Sequence, residues 1–409
     1  MNQGGWNVLK RSLQTSLVLA GFSAAGITSA AETLAQAIRE SDFIVDWRLR
    51  YESVDQTGIA ETAEALTGRL RFGFQTALLA KTRLLAEGVW IGAGIDDYNS
   101  TTNGRTQFPV VADPANFTAL NRFALSNQSL EHTTLTFGRQ RVVLDDTRFV
   151  GNVAWRQNEQ TFDGLRAQID GAVKVDVSWS NQVNRVFGPD SPVGRWHGDV
   201  VLTNLAHAFK FGTLTAFDYY VDLTDAAATS SNTLGLRLAG GKPLGKVGTN
   251  YALSYARQVD AGANPASFSL PYYLAEGGLT FNKKPNVTLG YERLGSDGTT
   301  GFSTPLATLH AFQGWADKFL ATPAAGIDDK YVKFTYPFGK HGAFTSVSAL
   351  AWYHDFTADV GSTHFGDEID LQLVARTKKI ALTLKYASYN ADLLLTDTDK
   401  LWLSVDCTL

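Results

Sequence analysis

From Phe43 to the last residue, one stretch after another puts an apolar side chain at every second position. Phe43, Val45, Trp47, Leu49 and Tyr51 share one face, with Asp46, Arg48, Arg50 and Glu52 on the other. Leu66, Gly68, Leu70, Phe72 and Phe74 repeat this against Thr67, Arg69, Arg71 and Gln75. Side chains alternate across a β-strand, so period two with one wholly apolar face marks a strand lying between apolar and polar surroundings. The same signature recurs at Val173 to Trp179, at Leu234 to Leu238, at Ile369 to Leu373 and at Ile380 to Tyr386. It closes with Leu401, Leu403, Val405, Cys407 and Leu409. About 18 such segments can be counted, each near the ~9–11 residues that a tilted membrane strand requires. Short turns alternate with long polar intervals, as in an up-and-down meander with unequal ends. The fold class this predicts is all-β: a transmembrane, up-and-down antiparallel β-barrel of about 18 strands with long external loops. In a soluble sandwich the arginines opposite the apolar face would meet bulk water; in a barrel they line the lumen.

Composition agrees. Thirty-seven Gly, 24 Phe, 14 Tyr and 9 Trp stand beside one Met and one Cys in 409 residues, as a turn-rich β chain requires. The 44% hydrophobic content does not exclude a membrane protein, because barrel strands average apolar outward with polar inward residues. No window after the N-terminal segment holds the roughly 18 consecutive apolar residues of a spanning helix. Residues 1–31 read as a signal peptide: Lys10 and Arg11, an apolar run from Leu13 to Ile27, then small residues at Ser29-Ala30-Ala31 before Glu32. Residues 32–409 are then a single barrel domain. Loss of Lys10 and Arg11 makes the mature chain two units more negative than the −4 of the full sequence. Bulk electrostatics of that sign do not suit a nucleic-acid partner. The lone Cys407 excludes an intramolecular disulfide framework.

The chain from Leu135 to Ile169 leaves one alternating strand and returns in another. Between them lie Arg141, Asp145, Asp146, Arg148, Asn152, Arg156, Gln157, Asn158, Glu159 and Gln160. A segment too polar for a buried core, carrying several opposite charges and anchored at both ends on a β scaffold, is a candidate constriction loop. A second long interval, 295–325, holds Leu309, Phe312, Ala316 and Phe319 at near-helical spacing. It predicts a short helix or ordered plug, with an external loop packed on itself as the alternative. The polar interval 94–116 suits an external loop.

Catalytic chemistry has little support. The seven histidines lack metal-ligand spacing, so no metal and no cofactor are expected. There is no Gly-x-Ser-x-Gly elbow. Ser346, Ser348 and His354 share one parity on one strand, but Asp355 points to the other face, which argues against a triad and against an enzyme.

Three blocks carry a resemblance: Thr-Leu-Thr-Phe-Gly-Arg-Gln at 134–140, Asp146 through Gly164, and Gly-Trp-Ala-Asp-Lys-Phe at 314–319. In them the chain resembles the alginate-export family of outer-membrane porins. The resemblance implies an 18-stranded monomeric barrel that passes an anionic polysaccharide or smaller solutes through an arginine-lined constriction. It implies a place among outer-membrane lipids of a Gram-negative bacterium after signal cleavage, and insertion by the outer-membrane assembly machinery. That machinery would meet a last strand ending on Leu409 instead of the usual Phe. By parity the cations of the substrate path are Arg48, Arg50, Arg69, Arg71, Arg122 and Arg166. Arg139 shares the parity of Leu135 and Phe137, and faces the pore only if a bulge intervenes. Acids accompany these arginines, among them Asp46, Glu52 and Glu87. Two readings therefore stay open: selective passage of anionic solutes such as an alginate-like acidic sugar, or a weakly selective porin whose arginines brace the lumen. A surface adhesin or receptor using the long loops is a third.

Overall fold

The computed structural model describes residues 31–409 apart from 115 and 283; the stretch 1–31 read as a signal peptide lies, but for its last residue, outside the described residues. Eighteen long strands follow one another: β1 Asp42–Gln56, β2 Ala63–Gln75, β3 Thr82–Asp97, β4 Phe117–Asn127, β5 Thr133–Gln140, β6 Thr161–Ile169, β7 Val173–Asn184, β8 Arg195–Ala208, β9 Gly212–Leu223, β10 Ser231–Gly240, β11 Val247–Asp260, β12 Ser269–Phe281, β13 Asn286–Leu294, β14 Ile327–His341, β15 Phe344–Thr357, β16 His364–Arg376, β17 Ile380–Ala391 and β18 Thr398–Thr408. Each is antiparallel to its sequence neighbours, and Pro243–Leu244 extends the β10–β11 hairpin by two pairs against β11. β1 pairs with β2 on one edge and with β18 on the other, Trp47 facing Cys407 and Tyr51 facing Leu403. That closes the sheet on itself.

One end of the barrel carries short turns and the other the long connections 98–116, 141–160 and 295–326. On the outer face Phe72, Phe137, Leu165, Leu371, Leu384 and Leu403 are all more than 40% exposed. Such a surface belongs in hydrocarbon, not water. Toward the loop end, ring residues hold outward acids: Tyr51 Oη donates to Glu64, Trp179 Nε1 to Asp199 at 2.8 Å, and Tyr386 Oη to Asp399 at 2.7 Å. Amphipathic rings with one wet end are what a membrane interface selects. A helix, α1 (Leu34–Arg39), capped by the Thr33 side chain, sets Ala37 against Ala77 at the turn end.

The apolar core lies inside the barrel. Val142, Leu144, Val150, Phe302, Trp315 and Phe319, from the connections 141–160 and 295–326, pack on the inward Phe162, Phe217, Tyr272, Phe356 and Trp402. Both connections therefore fold into the lumen as an ordered plug. The helix expected near 308–320 is one 3₁₀ turn, Leu309–Ala311. Positive φ at Gln313, Gly314 and Asp317 breaks any longer helix. The helical spacing has another cause: Phe312 packs on Arg148, while Phe319 sits against Phe356, Phe365 and Tyr389.

Candidate functional site

β5 has eight residues, and after Gln140 the chain turns from the wall into the lumen. Its backbone meets the second connection directly: Gly151 N donates to Leu306 O at 2.9 Å and Thr308 N to Thr147 O at 3.0 Å. The Gln160 amide bridges Gly151 O and Leu306 O. A Cβ on Gly151 would stand 2.2 Å from Thr308 Oγ1, so only glycine permits this approach. Gly314 is fixed similarly, at φ +77° with the Glu368 carboxylate filling the space of a side chain. Glu368 and Asp370 of β16 accept from Ala316 N and Trp315 N.

Buried ion pairs lock the two connections together and to the wall. Arg148 donates Nε to Glu292 of β13 at 2.6 Å, Nη1 to Thr304 and Nη2 to Gln313. Arg156 pairs with Asp317 at 2.7 Å, and Lys400 of β18 approaches the same carboxylate at 3.3 Å. His310 Nδ1 lies 2.7 Å from Asp317, and its Nε2 lies 2.6 Å from Lys385 Nζ. Lys385 is also held over the rings of Trp155 and Trp315. Burial pushes the His310 pKa down, and Lys385 adds to that against the pull of Asp317. Neutral imidazole then accepts from the ammonium and donates to Asp317. Burial alone would raise the Asp317 carboxyl, but His310, Lys400 and Arg156 hold it well below the usual carboxylate range.

A second hub forms at Glu159. It accepts from Arg141 at 2.7 Å, Asn121 at 2.6 Å and Asn152 at 2.8 Å, with Arg71 at 3.5 Å. Burial works against ionisation there, and Arg141 and Arg71 outweigh it, so Glu159 stays a carboxylate. Glu87 of β3 accepts a bidentate pair of bonds from Arg122 and one from Asn121.

The arginine wall follows from strand parity and register. Arg48 of β1 sits opposite Arg69 of β2, Arg50 opposite Thr67, and Asp46 opposite Arg71. Like charges so close need counterions. Arg48 pairs with Asp406 of β18 at 2.5 Å, Arg69 with Asp46, and Arg71 with Glu159. Arg50 has no carboxylate among the described residues within ion-pair distance; its guanidinium lies 3.9 Å from the Trp155 ring. Arg48 Nη1 also donates to the carbonyls of Ala154 and Trp155, fastening the connection 141–160 to the wall. Pairing neutralises charge without using every donor: Nε and Nη1 of both Arg50 and Arg69, and Nε and Nη2 of Arg71, are buried without hydrogen-bond partners.

The structure sorts the residues picked from sequence. Arg141, Arg148, Asn152, Arg156 and Glu159 converge in the plug, and Arg71 and Arg122 meet them from the wall. Asn158 donates to Arg185 O in the β7–β8 connection. Asp145 and Asp146 turn to the far wall, to Asn204 and Arg237, beside a small hollow lined by Phe149 and Tyr219. Arg166 pairs with Asp176 and donates to Arg141 O. Arg139 keeps the outward parity of Phe137 and pairs bidentately with Asp163. His354 is buried against Asp329, while Asp355 faces the other way toward His364. Sequence reading missed Asn121, Asp113, His310, Lys385 and Lys400. Asp113, which accepts from Gln157 N, lies in the interval taken as external. Lys385 and Lys400 do sit on polar strand faces, and parity alone could have found them.

Residues 47–301 match the alginate-export family. A search of curated protein sequences returned no match. Solved structures similar to the chain include OpdK of Pseudomonas aeruginosa with vanillate, at 13% identity and a TM-score of 0.70, covering 90% of this chain and 98% of that one. A BenF-like porin of Pseudomonas fluorescens gives 13% and 0.71, over 91% and 99%. OccAB1 of Acinetobacter baumannii gives 10% and 0.69, over 90% and 97%.

Proposed function

The chain belongs to the alginate-export family and has the fold of outer-membrane porins, and from that premise we propose that it is a passive channel for anionic solutes in the outer membrane of a Gram-negative bacterium. It would act as a monomer after signal cleavage, with an acidic sugar or another small carboxylate as cargo. The observation that carries this reading is the inward wall formed by Arg48, Arg50, Arg69 and Arg71, in which Nε and Nη1 of Arg50 and Arg69 and Nε and Nη2 of Arg71 have no hydrogen-bond partner among the described residues. Guanidinium remains charged and grips carboxylates in a planar fork, so such a wall offers successive stations to a passing anion. The vanillate in the OpdK structure is itself a carboxylate, which suits a solute of this class.

A weakly selective pore is the second reading, favoured by the carboxylate beside each of Arg48, Arg69, Arg71, Arg122 and Arg166. Reversal potential in a planar bilayer under a KCl gradient separates the two. Anion bias in the wild type, lost in R48Q/R69Q/R71Q, and current block by added uronate support the anion path. A wild type without bias, or a triple variant with the same reversal potential, leaves the weakly selective pore.

A further inference from the structure

Because the chain leaves the wall after Gln140, β4 and β5 share only the pairs from Phe123↔Arg139 to Asn127↔Leu135. Among the described residues, the edge of β4 from Phe117 to Arg122 has no strand on that side. Arg139 covers part of it, donating Nη1 to Leu120 O at 3.0 Å. The β7–β8 connection reaches toward the gap, with Gly188 against Phe117. Beneath it a narrow crevice runs from outward Leu120, Arg139 and Arg195 to buried Asn121 and Glu159.

The charges here are unevenly matched. Glu159 is saturated by Arg141, Asn121 and Asn152, and Asp163 by Arg139, Gln182 and Asn184. Arg185 and Arg195 also line the crevice, and neither has a carboxylate among the described residues within ion-pair distance. Arg185 is sandwiched by the Trp196 and Phe187 rings at 3.6 and 4.7 Å, which fixes its guanidinium while one N–H bonds Val193 O. Two cations without counterions, beside an unpaired strand edge and the exposed Leu120, call for a partner with an oxyanion and an apolar body. An unpaired edge leaves backbone groups without partners, so a polar head seated there also relieves the backbone.

We propose that this lateral notch binds the oxyanion of an amphiphile, with Arg185 and Arg195 gripping the anion and Leu120 carrying the apolar part. Phosphate borne by a surrounding lipid and free phosphate share this chemistry, and the test distinguishes them.

The full mature chain in detergent is titrated with fluorescent bisphosphorylated lipid A and with its dephosphorylated form. Expected is saturable binding of the phosphorylated probe, weakened at least tenfold in R185Q/R195Q and largely kept in R185K/R195K. R257Q, at another outward arginine, serves as the control and leaves binding unchanged. Heat-modifiable mobility on gels verifies that each barrel is folded, and unchanged reversal potentials separate the notch from the lumen wall. Displacement of the probe by millimolar inorganic phosphate supports a site for free oxyanions; persistence of binding supports a lipid-borne phosphate. Equal affinity for both lipid forms, or a folded double variant that binds like wild type, overturns the proposal.

Discussion

Arg148→Gln is the sharpest test of how the plug is held. The arginine is 1% exposed and bonds Glu292 at 2.6 Å, Thr304 at 3.1 Å and Gln313 at 3.1 Å. Its guanidinium lies 4.8 Å from the Phe312 ring. Gln keeps polarity but removes the cation, leaving Glu292 buried with only Tyr272 and Gln313 as donors. Stripping one partner from a buried pair costs about 3–5 kcal/mol. At 1.36 kcal/mol per factor of ten, the docked plug loses roughly a hundredfold to several thousandfold against the undocked one. The eighteen-strand ladder does not use Arg148, so the barrel should keep its heat-modifiable mobility. Hydrogen exchange would rise over 141–160 and 300–320 together, because those segments share backbone bonds, and single-channel current would become larger or noisier. Arg148→Met with Glu292→Leu removes both charges and should recover most of the loss, since a well-packed apolar pair can replace a buried ion pair at little cost. Wild-type exchange in R148Q would refute the idea that this pair holds the plug. A double variant as loose as the single one would refute the uncompensated-charge argument.

Lysine at Leu382, on the lipid-facing side of β17, should destabilise the inserted barrel by about 2–4 kcal/mol if it lies near the bilayer midplane, measured by urea unfolding in lipid vesicles. Gly151→Ala places a Cβ 2.2 Å from Thr308 Oγ1 and 2.8 Å from Thr147 Cβ. Overpacking of this kind costs about 1–3 kcal/mol, should loosen the plug by exchange, and should be eased by Thr308→Ala. The His310 pKa is depressed in the docked plug, so the undocked form takes up a proton more readily. Docking is then strongest above the ordinary histidine value of about 6.5 and weakens as pH falls below it. Current noise should grow on acidification from pH 7.5 to 5.5, and His310→Gln should flatten that dependence.

Most of the wall was legible in the sequence because a strand exposes its environment residue by residue. Lipid outside and water or polar protein inside impose opposite demands on alternate positions, which is why Arg48, Arg50, Arg69 and Arg71 could be placed by counting. The opposite charges of 141–160 marked a loop that folds back on protein. Nothing local told that Arg156 meets Asp317, 161 residues on, or that Arg148 meets Glu292. Such pairings depend on which strands close the barrel, and a lone acid in a loop carries no sign of its partner. Of the two forms expected at 308–320, the plug is present and the helix shrinks to one 3₁₀ turn: apolar residues three and four apart satisfy a helix and an irregular plug equally, and Gly314 is the one sequence sign of a break. Arg139 shows parity outperforming intuition, since its outward position follows from Phe137 and its use, covering the bare β4 edge, from the loop's departure.

Under the proposed anion path, the arginine wall would brace the lumen and meet a passing solute at once. Ion pairing settles charge: one carboxylate each answers Arg48, Arg69 and Arg71. It does not settle hydrogen bonding, since a guanidinium has five N–H groups and a strand-borne acid in fixed register reaches one or two. Each buried donor left over costs about 1–3 kcal/mol. Those atoms carry almost no accessible surface, so a lumenal carboxylate reaches them only after the wall or the plug shifts. Replacing only the counterion should therefore separate the two roles. Asp406→Asn frees Arg48 while keeping an acceptor beside it, so anion bias should increase with the plug still docked. If the plug loosens and the bias stays unchanged, Arg48 serves the loop alone, and the anion path rests on Arg50, Arg69 and Arg71.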